Sequence, residues 1–309
     1  MTFDDRLGRR VVEHACTYLD GIGERPVRAT LSGDELRARL GGSLPAGGDD
    51  PVEIIDALAA AGLRGTVAWQ GPRYFGFVTG GSLPVATAAD WLVAAWDQNA
   101  QMFAMSPMAA TVEQIAAGWL KELLGLPEHW SAGFVTGAQM ANFTGLAAAR
   151  HRLLEQAGWD VERDGLFGAP PIEAIVGEEA HRTVFTALRM LGLGAGRVVR
   201  VEADGQGRMR VDRLEAAVRG GTGPCIVCAQ IGNVNTGAAD AIADIAPLAR
   251  RRGAWLHIDA VQEGGTCWAG GTGWHGQAAR RISICNWSTN NDDIDRSAEA
   301  ILTVCADPT

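Results

Sequence analysis

The sequence has 309 residues, of which 47% are hydrophobic, so it can bury a substantial core and is expected to form one large domain with smaller additions. Its formal net charge of −9 argues against nucleic acid or a membrane surface as the main partner. No apolar run reaches the length of a transmembrane helix, and the first residues are acidic where a secretory signal would be basic and then apolar. We therefore expect a cytoplasmic protein.

The cysteines are also typical of a reducing compartment, because the six of them are scattered rather than arranged as a disulfide framework. Cys225 and Cys228 have CxxC spacing but lie within an apolar run, with no second Cys/His pair at zinc spacing. We interpret them as small hydrophobic residues of a strand rather than as a redox or metal site.

The first part of the sequence predicts helices joined by irregular segments. Apolar residues recur at helical spacing in residues 3–22, and residues 26–50 read as an extended arm with one short helix at 34–40. A further helix is expected over residues 51–62. Tyr74 and Phe75 follow in a glycine-flanked aromatic segment, which is either an ordinary turn or the lining of a ligand cleft.

Two long helices are expected between residues 83 and 126, separated near Ser106-Pro107. Lys121 is on the polar side of the second helix and is predicted to be a solvated surface residue. It is also the single lysine among 27 basic residues, the other 26 being arginines.

An alternation of strands and helices then predicts a parallel, doubly wound α/β sheet. The predicted strands are residues 133–135, 172–176, 197–201, 225–231 and 254–258. Helices are expected between them, one of them N-capped by Asp212.

Polar groups follow several of these strands at the edge where open α/β sheets bind ligands. Thr136-Gly137-Ala138 lies between a strand and a helix, where free N–H groups favour a phosphate, although a plain connection explains it equally well. His181 begins a helix after the next strand, and a histidine there is either a helix-start residue or a ligand group. Asp259, at the end of the last strand, is either a helix cap or a ligand-binding carboxylate.

Taken together, these residues resemble the pyridoxal-phosphate-dependent amino-acid decarboxylases of the aromatic-amino-acid and glutamate decarboxylase group. The resemblance runs from about Val11 to Asp259. The motifs that carry it are Arg73-Tyr74-Phe75-Gly76-Phe77, Asp97-Gln98-Asn99, Thr136-Gly137-Ala138, Ala141-Asn142, Glu179-Ala180-His181, Gly232-Asn233-Val234-Asn235-Thr236-Gly237 and His257-Ile258-Asp259-Ala260.

The resemblance implies the type I, aspartate-aminotransferase-like fold, incomplete here, with an N-terminal helical arm and a small C-terminal α+β piece. It divides the chain into residues 1–70, 71–260 and 261–309. It implies an amino acid as substrate, pyridoxal phosphate as cofactor and a homodimer as the family's usual assembly.

Position by position, the resemblance implies a cofactor site. Gly137 and Ala138 would hold the phosphate, with Thr136 as a further donor. His181 would stack on the pyridine ring and Asp259 would pair with its protonated nitrogen. The turn that contains Asn235 and Thr236 would lie near the cofactor or the substrate carboxylate. Tyr74 and Phe75 would line the substrate side of the site.

The sequence departs from the family after Ala260. Family members continue into further strands and a lysine that forms a Schiff base with the cofactor, but no lysine follows Lys121 here. Instead, residues 261–305 resemble the family's extreme C-terminal region, with a strand expected at 281–287 and a helix at 292–304. An internal deletion is the simplest explanation.

We therefore expect a decarboxylase by descent that is inactive and binds its cofactor non-covalently if at all. The alternative is a non-catalytic cofactor- or amino-acid-binding protein that acts with an intact partner. Loss of inner strands would expose apolar edges, so we also expect an unstable, aggregation-prone or partner-dependent protein. Aromatic and acidic amino-acid decarboxylases share these motifs, and the substrate is not assigned.

Overall fold

A computed structural model describes the protein at residues 4–77, 79–260, 271–274, 277–280, 290–296 and 299. The chain divides into two compact units, one of Met1–Leu92 with Gly264–Thr309 and one of Val93–Glu263. The α-helices are α1 (Asp5–Asp20), α2 (Gly33–Leu40), α3 (Pro51–Gly65), α4 (Pro84–Trp96), α5 (Pro107–Leu123), α6 (Ala138–Gln156), α7 (Val161–Asp164), α8 (Arg182–Met190), α9 (Val211–Arg219) and α10 (Ile242–Arg252). The strands are β1 (Glu173–Gly177), β2 (Val199–Val201), β3 (Cys225–Ile231), β4 (Trp255–Ala260), β5 (Gly271–Trp274) and β6 (Gln277–Arg280).

The first unit begins with three helices, as predicted, because each has a capping residue at its start. Asp4 and Asp50 accept backbone N–H bonds at the starts of α1 and α3, and Ser32 forms a reciprocal capping box with Glu35 in α2. Asp56 of α3 accepts hydrogen bonds from α1. In the same unit β5 and β6 pair antiparallel, and residues 291–296 are helical.

Four parallel strands form the sheet of the second unit, in the order β2-β1-β3-β4. Alternate residues of the strands face opposite sides, so each side of the sheet has its own core. One core joins β1, β3 and β4 to α6 and α8 through Leu146, Val176, Leu188, Ile226 and Cys228. The other joins the sheet to α9 and α10 through Ile175, Leu214, Val227, Ile245 and Leu248. Helices on both faces of a parallel sheet confirm the predicted doubly wound class.

Cys225 and Cys228 are buried, free thiols of β3, in agreement with their interpretation as strand hydrophobes. Burial raises the pKa of the Cys225 thiol to about 11, which keeps it protonated and unreactive at neutral pH. Within the described ranges, no group of three or more His, Cys, Asp or Glu side chains could hold a metal ion.

Three local predictions are wrong. Residues 133–135 form no strand, because they find no partner strand and Phe134 is exposed. Asp212 does not cap α9, since Arg210 occupies the cap position and Asp212 in the first turn pairs with its guanidinium. Lys121 is not freely solvated, because its ammonium donates to the carbonyl oxygens of Glu128 and Trp130 at 2.6 and 3.1 Å.

The break between α4 and α5 is confirmed, with Ser106 as the cap and Pro107 as the first residue of α5. None of the helices that the structure describes combines the length and apolar character needed to cross a membrane. The strand predicted at residues 281–287 and most of the helix predicted at 292–304 lie outside the described residues.

Candidate functional site

The N-terminus of α6 forms an open anion site at the position of the predicted phosphate loop. Gly137 is the N-cap with φ +84°, and no side chain of the described residues caps the helix. A Cβ at Gly137 would meet no atom within 4 Å, so the space in front of the first turn is open. Thr136, Gly137 and Ala138 are all exposed. The Gly137 N–H donates to the Val135 carbonyl at 2.9 Å, so the N–H groups left without an acceptor among the described residues are those of Ala138 and Gln139. Together with the positive end of a 19-residue helix, these two groups suit a phosphate.

His181 is the N-cap of α8, at the carboxyl end of β1. Its Nδ1 accepts a bond from the backbone N–H of Thr183 at 3.4 Å and lies 2.7 Å from the Thr183 hydroxyl. The ring is half-buried. His181 can therefore be both a helix-start residue and a ligand group. Capping uses Nδ1 alone and leaves the ring face and Nε2 for other contacts.

Three elements of the site are joined by a hydrogen-bond network, which consists of His257, Asn142, Thr183 and His181. His257 Nε2 of β4 lies 2.7 Å from Asn142 Oδ1 of α6, and Asn142 Nδ2 donates to the Thr183 hydroxyl of α8 at 3.0 Å. Asn142 and His257 are buried. The network therefore fixes the starts of α6 and α8 against the end of β4.

Asp259 lies two residues after His257 on the same face of β4, beside Gln230 of β3. It is half-buried and accepts no hydrogen bond from the residues described. Burial lowers the pKa of His257, although the charge of Asp259 opposes this shift. His257 is therefore neutral at physiological pH, and Asp259 is left as the carboxylate available to a cationic group.

The turn after β3 is positioned by its own side chains. Asn233 Oδ1 accepts the backbone N–H groups of Asn235 and Thr236, at 2.8 and 3.2 Å. The Thr236 hydroxyl donates to the Gln206 carbonyl at 2.6 Å and accepts from the Ala238 N–H. The Thr236 hydroxyl is thus used to hold the turn, which weakens its predicted role as a direct ligand group.

A buried carboxylate, Asp240, connects this turn to the sheet. Its two oxygens each accept a backbone N–H at 2.7 Å, one from Met209 and one from Gln230 of β3. Burial raises the pKa of Asp240, against the effect of these two bonds. Gln230 also donates to the Glu179 carbonyl, just before His181. The turns after β1 and β3 are therefore fixed to each other.

The two predicted substrate-side residues belong to the other compact unit, so they are not among the groups that the network joins. Tyr74 and Phe75 are half-buried. The adjacent Arg73 fixes their segment by donating to the carbonyl oxygens of Gly23 and Arg25 at 2.7 and 2.9 Å. The aromatic segment is thus an anchored turn within its own unit.

The donor set at the sheet edge fits pyridoxal phosphate. A helix start without a side-chain cap can take the phosphate, and a half-buried imidazole can lie on an aromatic ring. A carboxylate that accepts no hydrogen bond from the described residues can accept one from a protonated ring nitrogen. Sequence reasoning missed Asn142, Thr183 and His257 as members of the site. Asn142 and His257 were visible in the quoted motifs, but which residues they contact depends on the fold.

Comparison with known proteins identifies the family. The model of the pyridoxal-dependent decarboxylase conserved domain matches residues 35–272. Aromatic-L-amino-acid decarboxylase of Bacillus atrophaeus is 28% identical over 82% of this chain and 52% of its own length, and human histidine decarboxylase is 28% identical over 83% and 40%.

The fold agrees with this match. The structure of Oryza sativa TDC with PLP and tryptamine is similar with a TM-score of 0.73 at 23% identity, over 83% of this chain and 56% of that one. The chain therefore spans about half the length of the relatives it matches. Because the family match covers most of its residues, the chain belongs to the pyridoxal-dependent decarboxylase family.

Proposed function

We propose that this chain is a decarboxylase scaffold that binds pyridoxal phosphate without a covalent bond and does not turn over amino acids. The observation that carries the proposal is the combination of a preformed site at the sheet edge with the absence of a suitable lysine. Site residues from α6, α8 and β4 are joined by the network, while Lys121 is bonded to two carbonyl oxygens in another part of the unit.

Each site residue has a defined task in this proposal. When bound, pyridoxal phosphate supplies an electron sink for the charge left on the α-carbon by loss of CO₂. The backbone at Gly137 and Ala138 would bind the phosphate, and Thr136 would add a hydroxyl donor. His181 would stack on the ring. Asp259 would keep the ring nitrogen protonated through a charge-assisted bond worth about 1.5–3 kcal/mol.

Inactivity follows from the missing linkage. In the family a lysine holds the cofactor covalently and exchanges it with the substrate amine, which is the usual entry to turnover. Lys121 precedes the phosphate loop in sequence and matches no family position, so it does not replace that lysine. The joining of the Asp259 strand to a C-terminal-like segment supports an internal deletion, and sequencing the native gene and transcript tests it directly.

Amino acids are the substrate class of the family, and we propose an amino acid as the small-molecule partner of this site. Named relatives act on aromatic amino acids and on histidine, so the family alone does not select one. A homodimer is proposed as the assembly, supported by a stripe of exposed apolar side chains on α5. The buried free thiols fit the cytoplasmic location expected from the sequence.

A second candidate is a non-catalytic binder that acts through an intact partner of the same family. The observation that favours it is that the anion site and Asp259 are open in a chain without the linking lysine. Mixing with an active decarboxylase separates the two readings, since only the binder changes the partner's activity or joins its dimers.

The proposal is tested by titrating the protein with pyridoxal phosphate, reducing it with borohydride and measuring its mass. A saturable absorbance change with no added mass supports non-covalent binding, and Lys121→Arg should leave it unchanged. A covalent adduct on Lys121 or the N-terminal amine would overturn the proposal. Amine release from any supplied amino acid would overturn inactivity, and no absorbance change would overturn cofactor binding.

A further inference from the structure

The network has a direction, which follows from a backbone group that can only donate. The backbone N–H of Thr183 can only donate, and it points at His181 Nδ1 at 3.4 Å with the side chain accepting. A neutral His181 that accepts at Nδ1 carries its proton on Nε2. The cap at the start of α8 therefore favours one tautomer of the ring.

The side chains extend this preference to β4. If His181 Nδ1 accepts, the Thr183 hydroxyl 2.7 Å away can donate to it and must then accept from Asn142 Nδ2, at 3.0 Å. Asn142 Oδ1 is then the acceptor for His257 Nε2, at 2.7 Å. Burial keeps His257 neutral, so one proton on Nε2 satisfies the network without a charge.

We propose that Asn142, Thr183 and His257 are positioning residues that hold His181 as its Nε2–H tautomer, with Nδ1 reserved for the start of α8. His181 then offers one N–H donor, on Nε2, which makes no hydrogen bond to the described residues. In the proposed function, on which the functional meaning of this inference rests, that N–H is the ring donor left for a bound ligand.

The opposite arrangement is disfavoured at both ends. Reversing every bond would place a proton on His181 Nδ1, facing the Thr183 N–H, so two donors would oppose each other. At the other end it would place the His257 proton on Nδ1, which packs against Gly145, where a Cβ would be only 3.2 Å from that nitrogen. Among the described residues no acceptor bonds His257 Nδ1, so a proton there would be left without a partner.

The test reads the tautomer directly in protein without cofactor, by nitrogen-15 NMR of labelled histidines. The protein has six histidines, and His181→Gln identifies the His181 signals. We expect wild-type His181 to show a protonated Nε2 and an unprotonated Nδ1. A wild-type ring with its proton on Nδ1 would overturn the proposal.

Asn142→Asp tests whether the network is the cause. A carboxylate has no N–H, so the Thr183 hydroxyl turns to donate to it and presents lone pairs to His181 Nδ1. We expect the Nδ1–H fraction of His181 to rise severalfold. An unchanged tautomer in folded Asn142→Asp would show that the network does not hold the ring, and would overturn the proposal.

Thr183 provides a second test should the Asn142 variant fail to fold. Thr183→Val removes the hydroxyl at nearly constant volume but keeps the backbone N–H that donates to His181 Nδ1, so the Nδ1–H fraction should rise by less than in Asn142→Asp. Thr183→Ser keeps both donors and should give the wild-type spectrum. Gln139→Leu is the matched control, because Gln139 donates only to the Thr183 carbonyl. Equal spectra for the Val and Ser variants would contradict the proposal.

These measurements are independent of cofactor affinity. If the protein does not bind pyridoxal phosphate, the proposed function fails while the tautomer of His181 is still measured. If binding is confirmed and the tautomer is wrong, only the inference fails.

Discussion

Asp259 and His257 lie on one face of one strand, yet their surroundings give them opposite tasks. His257 is buried and bonded to Asn142, whereas Asp259 is half-buried and has no partner among the described residues. A neutral ring bonded through Nε2 organises the fold, and a carboxylate without a donor among the described residues is available for a ligand. Because side chains alternate along a strand, residues two positions apart share a face, which is why both side chains lie on the same side of β4.

Replacing Asp259 by Asn tests its task as the partner of the cofactor's ring nitrogen. The change removes the negative charge and keeps the size, so we expect affinity for pyridoxal phosphate to fall about tenfold or more, in line with about 1.5–3 kcal/mol for a charged hydrogen bond. Titration by absorbance measures it. Asp244→Asn, in the first turn of α10, is the control and should bind like wild type. Equal affinity for Asp259→Asn would exclude a ring partner at this position.

His257 predicts a dependence of stability on pH. Its pKa is lowered by burial below the ordinary 6.5, so below pH 6.5 the unfolded chain takes up a proton that the folded protein resists. The contribution of His257 to the free energy of unfolding should therefore be fully present above pH 6.5. It should decrease as the pH falls from 6.5 to the lower pKa that His257 has in the folded protein. His257→Gln, which keeps a donor for Asn142, should lack this decrease. Parallel pH profiles for the two proteins, from urea unfolding, would contradict the assignment.

At the scale of elements, the start of α6 combines open space with a backbone conformation that glycine adopts without strain and other residues do not. Gly137→Ala places a side chain at φ +84° but meets no atom, so the cost should be conformational alone, about 1–2 kcal/mol. Gly158→Ala is the matched control, since Gly158 has φ +79° and equally open surroundings outside the site.

Both glycine variants should lose similar stability on thermal unfolding. Only Gly137→Ala should weaken the binding of pyridoxal phosphate and of inorganic phosphate, because the backbone at this position approaches the anion. Equal loss of binding in both variants would indicate a general effect of stability and not a phosphate site.

Asp240 makes the link between Gln230 of β3 and Met209 sensitive to pH in the opposite sense to His257. Burial raises its pKa above the ordinary 3.8, so just above pH 3.8 the folded protein retains a proton that the unfolded chain has lost. Its contribution to stability is therefore largest at low pH and decreases as the pH rises through the native pKa.

Asp240→Asn should remove this pH dependence and destabilise the protein by about 1–3 kcal/mol. An amide has one oxygen where the carboxylate has two, so one of the N–H groups of Met209 and Gln230 loses its acceptor. Unfolding by urea from pH 4 to 7, in wild type and variant, gives both quantities. A variant as stable as wild type at all these pH values would contradict the role of Asp240.

The elements differ in how far the sequence predicts them. Helices α3 and α5 have local signals, with Pro51 and Pro107 at their first positions, and their predicted starts are confirmed. A strand also needs a neighbour, which local spacing does not supply, and residues 133–135 fail for that reason. In the site, His257 and Asn142 are 115 residues apart, so their bond follows only from the sheet order and the packing of α6.

At the scale of the whole molecule, the amino-acid composition does not explain why a row of apolar side chains on α5 is exposed. Five apolar side chains of α5, spaced three or four residues apart, are 46–79% exposed: Met108, Val112, Ile115, Trp119 and Leu123. This spacing places them on one side of the helix, as in a helix that packs against another. Contiguous apolar patches of this kind mark interaction sites. The proposed homodimer would place a second copy of the chain against this stripe.

The homodimer is tested by adding charge to the stripe. Ile115→Lys and Trp119→Arg each place a cation in an apolar contact, so we expect the double variant to sediment as a monomer at concentrations where wild type is a dimer. Gln114→Lys is the control, because Gln114 is an exposed polar residue of α5 outside the stripe, and it should dimerise like wild type. Since the variants alter exposed side chains, circular dichroism should show unchanged helix content in all three proteins. A wild-type monomer at every concentration, or a double variant that still dimerises, would leave the stripe without a role in assembly.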